Sequence, residues 1–240
     1  MKVFTNTDII ESRAKWARRV APLTMFFLVA GLITNFLSIR QPEYFRLTLL
    51  LLALGFIFAT ISSTLVNRWV REPRADQVLD SMLKKFGNDF VLFNYTSSIP
   101  HILLTPSRLY SIVVKNHDGE ITINQYKAHR KFTWRRLYRL MADEGLGSPV
   151  GEAETYASKL QKILDKELPG ETRVPEIQPL VIFANKEVDL TVNNPPIPVI
   201  RTNQFKSYIR ENNKSKNISA DQRKTLADIL GGRWQEGDSG

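Results

Sequence analysis

The sequence predicts an α/β protein in two parts: an N-terminal membrane hairpin of two helices, then a soluble domain built on a mixed sheet flanked by helices. Three observations lead there. Two apolar runs, Val20 to Ile39 and Leu47 to Val66, are separated only by the seven residues Arg40 to Arg46. Each has the roughly 20 residues that a helix needs to cross a hydrocarbon core. From Pro73 onward the composition is of ordinary polarity, and helical spacing alternates with short β-like runs bounded by turn residues.

Neither apolar run carries the polar stripe, every third or fourth residue, that a half-buried helix of a globular protein shows. A seven-residue link leaves room only for a reversal, so the spans at 20–39 and 47–66 are antiparallel. Arg13, Lys15, Arg18 and Arg19 precede the first span and Arg68, Arg71 and Arg74 follow the second, whereas the link holds Arg40 and Arg46. Basic residues are retained on the cytoplasmic side, so both termini are expected there, in a multi-pass protein of a bacterial-type inner membrane. Trp16 and Trp69 lie one turn outside the spans on that same side. The first run is too long for the core of a cleaved signal peptide and no small-x-small site follows it, which makes it a retained anchor. Residues 1–19 are expected to form a basic helix opened by an Asp8 to Glu11 capping box, lying on the membrane surface or extending the first span. Gly55, Ala59 and Ser63 recur at spacing four, a seam open to a second copy of the chain or to the first span.

The formal charge of +9 divides along the chain. Residues 1–72 hold nine Lys/Arg against four Asp/Glu, and residues 73–240 hold 24 against 20. Most of the excess therefore flanks the spans, where topology and anionic lipid account for it. Absence of cysteine removes disulfides, thiolate metal sites and cysteine nucleophiles. The part beyond the hairpin has the size of one domain with its own core.

Within that domain, Val78, Leu79, Met82, Leu83 and Phe86 repeat at helical spacing and Gly87 ends the run, which predicts a helix over 74–86. Four β-like stretches follow: Phe90 to Tyr95, His101 to Thr105, Leu109 to Lys115 and Glu120 to Gln125. Ser97-Ser98 with Pro100, Pro106-Ser107 and Asp118-Gly119 supply the turns of a meander. Helices are predicted over 132–143 and 149–168, the latter opened by Ser148-Pro149. Leu180 to Ala184 is the continuous apolar run of a strand covered on both faces. A Pro-rich loop, Asn193 to Pro198, leads to a short strand through Val199 and Ile200 and a helix over 204–210. Residues 213–240 are read as a C-terminal helix opened by a Ser219 to Gln222 capping box and stopped by Gly231-Gly232, with a disordered tail. Asn185 to Asp189 is read as a loop.

Two stretches carry a family resemblance. Ile99-Pro-His-Ile-Leu-Leu-Thr-Pro-Ser-Arg-Leu-Tyr-Ser-Ile-Val-Val-Lys-Asn116, followed by Asp118-Gly119-Glu120-Ile121, resembles the nuclease-related domain, and Gln178-Pro-Leu-Val-Ile-Phe-Ala184 resembles its next core strand. The likeness spans roughly 75–211, placing the domain over 73–212, and it implies a restriction-endonuclease-like fold. The family pattern has Ile-Asp-His before one apolar strand and Glu-x-Lys at the end of the next. Residues two apart share a face of a strand, so Glu-x-Lys sets a carboxylate beside an ammonium, and the Asp completes an oxygen cage for Mg²⁺. Here Pro100 stands at the Asp position and Val113 at the Glu position, leaving Lys115 and His101 as vestigial site residues. The resemblance thus implies a pseudo-nuclease with no resident metal or cofactor. The alternative is a nuclease acting on DNA or RNA with relocated acids, from among Asp76, Asp80, Asp89, Asp118 and Glu120, in which case Mg²⁺ is its cofactor.

A basic, aromatic segment is the other candidate. Lys127, His129, Arg130, Lys131, Arg135, Arg136 and Arg139 fall among Tyr126, Phe132, Trp134 and Tyr138. Three readings fit it: an ordinary solvated helix face, a surface for anionic lipid headgroups, or a nucleic-acid surface of cations interleaved with aromatics. No Gly-rich phosphate loop, Gly-x-Ser-x-Gly elbow or His-Glu-x-x-His pair is present, and three histidines in all argue against a histidine metal cluster. The sequence is therefore read as a membrane-anchored interaction module.

Overall fold

The computed structural model describes residues 1–132, 145–168, 170, 174–215 and 217–231. They divide into two compact units. One holds the two apolar helices. The other holds Met1–Asn6 together with the chain from Ala75 onward, apart from the segment Phe132–Gly145.

In the helical unit, α1 runs Thr7–Ser38 and α2 runs Tyr44–Trp69. Their most apolar windows have mean hydropathy 2.0 and 2.3, and only 11% of each is buried, unlike the core helices of a globular protein. Both are long and apolar enough to cross a membrane. The capping box expected at Asp8 does not form the helix start: α1 already begins at Thr7, and Asp8 lies in its first turn. Of the two readings of the basic stretch, extension of the first span is what the structure shows: it is the first part of one 32-residue helix.

The two helices meet through reciprocal knobs. A Cβ on Gly31 would lie 2.7 Å from Leu52 Cδ2, and one on Gly55 would lie 2.7 Å from Leu28 Cδ2. Each helix carries a Leu three residues before a Gly, and antiparallel pairing sets each Leu into the other's gap. Phe27 stacks on Phe58 with ring centroids 5.1 Å apart, and the Thr48 hydroxyl donates to that of Thr34 at 3.0 Å. Gly55, the first member of the small-residue seam, is thereby occupied by Leu28 of the same chain.

The second unit is built on a six-stranded sheet in the order β1-β2-β3-β4-β7-β9. Its strands are β1 Lys2–Thr5, β2 Val91–Asn94, β3 His101–Leu104, β4 Leu109–Lys115, β7 Ile177–Phe183 and β9 Val199–Arg201. A smaller sheet, order β6-β5-β8, contains β5 Gly119–Asn124, β6 Lys127–Arg130 and β8 Val188–Asn193. Two consecutive strand pairs run side by side: β4 is parallel to β7, and their continuations β5 and β8 are parallel too. Helices α3 Ala75–Leu83, α4 Pro149–Glu167, α5 Thr202–Asn212 and α6 Ala220–Gly231 complete the unit.

Alternation along the strands divides the core. Phe93, Ile102, Leu104 and Leu109 face α4 and α6 through Leu160, Leu164, Leu226 and Leu230. Leu92, Leu103, Tyr110, Ile112, Leu180 and Ile182 face α3 and α5 through Leu79, Leu83, Phe205 and Ile209. Helix α6 is thus part of the domain's core, and a boundary at 212–213 does not exist. Its start is as predicted, with Ser219 Oγ accepting from the Gln222 N–H at 3.1 Å.

Three strands escape the sequence reading. β1 pairs in parallel with β2, Lys2 opposite Val91 through Thr5 opposite Asn94, so the N-terminus is an edge strand of the sheet. β6 occupies the first part of the basic segment, and β8 takes in the end of the expected 185–189 loop and the start of the Pro-rich one. The helix expected over 132–143 and the disordered tail lie almost wholly outside the described residues.

Two measurements test this architecture. Gly31→Ile or Gly55→Ile drives a branched side chain into the facing leucine and is expected to cost about 1–3 kcal/mol in hairpin stability, read by unfolding in mixed micelles. Burial raises the Tyr110 phenol to about 12, against a lowering hydrogen bond from Asn213 Nδ2 at 3.1 Å. A folded value above the unfolded 10 means stability is fully present below pH 10 and is lost as pH rises through 12. A rise of that size corresponds to about 3 kcal/mol, checked by denaturation of wild type and Tyr110→Phe across that window.

Candidate functional site

The nuclease-like positions fall on β4, in the middle of the large sheet. Val113 and Lys115 share one of its faces. Pro100 immediately precedes β3, whose register with β4 pairs Ile102 with Ser111. The chemistry at each of the family's positions differs from the pattern.

Val113 is 5% exposed and packs with Val150, Ala153, Val181 and Phe183. A carboxylate there would enter an apolar cluster on the α4 side of the sheet. Pro100 offers no side-chain oxygen; its carbonyl accepts from the Tyr95 N–H at 2.8 Å and closes the turn between β2 and β3. Lys115 is held by a carboxylate that the sequence reading missed. Its Nζ donates to Glu152 Oε1 at 3.0 Å and to Oε2 at 2.9 Å, with the two side chains 14% and 40% exposed. Glu152 sits in the first turn of α4, where the helix dipole favours negative charge. Pro149 sets the start of that helix, and Ser111 Oγ donates to the Ala153 carbonyl at 3.1 Å, fixing it over β4.

His101 does not join Lys115. It follows Pro100 by one residue and so projects to the opposite face of the sheet. There it is 3% exposed, its Nδ1–H donating to Asn94 Oδ1 at 2.8 Å and its ring meeting that of Tyr95 edge-on at 5.0 Å.

Three of the acids near the motif are paired with basic side chains. Asp118 pairs with Arg130, Glu120 with Lys131 at 2.8 Å, and Asp89 with Arg223 at 3.0 Å. Asp76 is buried in the first turn of α3, the helix that also carries Asp80. Among the described residues, no group of three His, Cys, Asp or Glu is placed to hold a metal ion.

The basic segment is altered in the same way. Arg130 gives its guanidinium to Asp118, and its Nε donates to the Asp118 carbonyl at 3.0 Å. Lys131 bonds both Glu120 oxygens. Lys127 and His129 are exposed on β6. Arg135, Arg136 and Arg139 lie outside the described residues. An open depression beside β8 is lined by Leu190, Val199 and Arg201, whose guanidinium donates to the Leu190 carbonyl at 3.3 Å.

Residues 68–184 match the model of a protein family, the nuclease-related domain (NERD). The match begins at the end of α2 and covers the altered motif through the last residues of β7. No curated protein and no solved structure matches the chain.

Val113→Glu restores the motif's carboxylate inside an apolar cluster. It is expected to lose about 2–4 kcal/mol of domain stability, measured by chemical denaturation of the full chain.

Proposed function

We propose that the protein, whose residues 68–184 match the nuclease-related domain family, is a membrane-anchored pseudo-nuclease, a cytoplasmic binding module rather than a catalyst. One observation carries the reading. The position that would hold the metal's carboxylate is a buried valine, and the neighbouring lysine is saturated by Glu152. Mg²⁺ demands several oxygen ligands in near-octahedral order. Pro100 and Val113 contribute none from their side chains.

Anchoring follows from the two apolar helices, read as an antiparallel hairpin with both ends on the cytoplasmic side of an inner membrane. Supporting this, β1 precedes the hairpin and β2 follows it, yet the two strands pair. A chain that crosses a bilayer between two paired strands must cross an even number of times. The proposed ligand surface is the basic segment, through Lys127 and the arginines beyond the described residues, with anionic headgroups or nucleic acid as its target.

A rival reading has one specific observation in its favour: Glu152 brings a carboxylate to Lys115, as a relocated acid would. It requires metal-dependent cleavage. Titration of Mg²⁺ and Mn²⁺ into the full chain in nanodiscs, with a nuclease assay on the same sample, separates the two. The binding-module reading expects no cleavage of DNA or RNA with either metal. Cleavage that disappears in both Lys115→Ala and Glu152→Gln would establish the enzyme instead.

A further inference from the structure

Thr5, Asn94 and His101 stand in one row across three adjacent strands. Thr5 is the register partner of Asn94 in the parallel pair, and Asn94 that of His101 in the antiparallel pair. Their side chains are joined: His101 Nδ1 donates to Asn94 Oδ1 at 2.8 Å, and Asn94 Nδ2 donates to Thr5 Oγ1 at 3.1 Å. Asn94 is 1% exposed and His101 3%. An amide carries two kinds of group at one end, and the histidine N–H fixes which of them faces β1.

We propose that this row is a clasp that fastens the N-terminal strand, and with it the start of the hairpin, to the sheet. β1 is only four residues long and half of it is exposed, so apolar burial holds it weakly. Phe4, stacked on Phe93 at 5.5 Å, is its main apolar contact. Backbone bonds flank the row, Lys2 N to the Phe90 carbonyl and Asn6 N to the Asn94 carbonyl, each 3.0 Å. Such bonds are equally available in a slipped register, whereas the side-chain row exists in one register alone. Release of β1 takes away the acceptor of the Asn94 amide and exchanges a buried hydrogen bond for one to water.

The clasp matters because of what it connects. A single residue, Asn6, separates β1 from α1, and residues 70–74 separate α2 from α3. With β1 in place, both ends of the hairpin are tied to the domain by short segments; with β1 released, only one is. The soluble part expressed from residue 73 lacks β1 and leaves the β2 edge open. The clasp is independent of whether the domain cleaves anything.

The chain has no cysteine, so a paired-cysteine test is free of background. Lys2→Cys with Val91→Cys, register partners across β1 and β2, reports docking in the full chain reconstituted in lipid. Thr122→Cys with His129→Cys, across β5 and β6, reports that the domain is folded. The expected result is efficient oxidation of both pairs in the parent. Thr5→Val and Asn94→Ala should each lower the 2–91 yield about three-fold or more, leave the 122–129 yield unchanged, and together do no more than the stronger one alone. Thr5→Ser, which keeps the hydroxyl, should retain the parent yield. A 2–91 yield unmoved by Thr5→Val, or lowered as much by Thr5→Ser, overturns the clasp. Failure of the 2–91 pair in a parent whose 122–129 pair forms overturns the docking of β1 itself.

Discussion

Strands Lys2–Thr5 and Val91–Asn94 lie side by side in one sheet, yet both apolar helices run between them. Everything else in the molecule answers to that constraint. Bringing together residues nearly ninety positions apart costs loop-closure entropy, though the cost grows only with the logarithm of length. The cost falls further when the intervening chain is already ordered. Two long helices packed antiparallel through Gly31 against Leu52 and Gly55 against Leu28 return the chain close to where it left. The hairpin's own packing rests on those two reciprocal contacts.

The centre of the domain shows how a strand's place in a sheet is independent of the side chains it carries. β4 pairs with β3 on one side and β7 on the other, so its backbone is satisfied whatever side chains it carries. What changes with sequence is the electrostatic balance on its α4 face. A lysine 14% exposed beside a valine would be a poorly solvated, uncompensated charge. Glu152 supplies the missing counter-charge from another element. Glu152 and Lys115 thus form a pair across two elements, the helix carboxylate answering the strand ammonium beside the buried Val113.

How much of this was legible in sequence follows from the range of each interaction. The hairpin was, because hydropathy over twenty residues and a short link are local properties. So were β3, β4 and β7, through their apolar runs, and the shared face of residues 113 and 115, because a period of two puts them there. β1 was not: Lys2 to Thr5 is shorter than any periodicity signal and runs into a strong helix start. β8 was legible and missed: Val188, Leu190 and Val192 alternate with Asp189, Thr191 and Asn193 at the period of a half-buried strand. Glu152 lies 37 residues from Lys115, and no spacing rule reaches from a strand to the first turn of a later helix. The pairing of Arg130 and Lys131 with acids was equally invisible, since it exists only in the β5–β6 register that sets Ile121 opposite Arg130.

That last pairing bears on what the basic segment can bind. Affinity for a phosphate backbone grows with the number of counterions released, and thus with the number of cations free to replace them. An arginine or lysine already joined to a carboxylate must break that pair before it contributes, so Arg130 and Lys131 add little. Lys127 remains in the described part, and the segment's larger contribution falls to Arg135, Arg136 and Arg139. A few cations give a shallow salt dependence on nucleic acid. On an anionic membrane the same few would be worth about 1 kcal/mol each within a Debye length of the surface. The proposed lipid target therefore asks less of these few cations than the proposed nucleic-acid target does, since each counts singly at a surface.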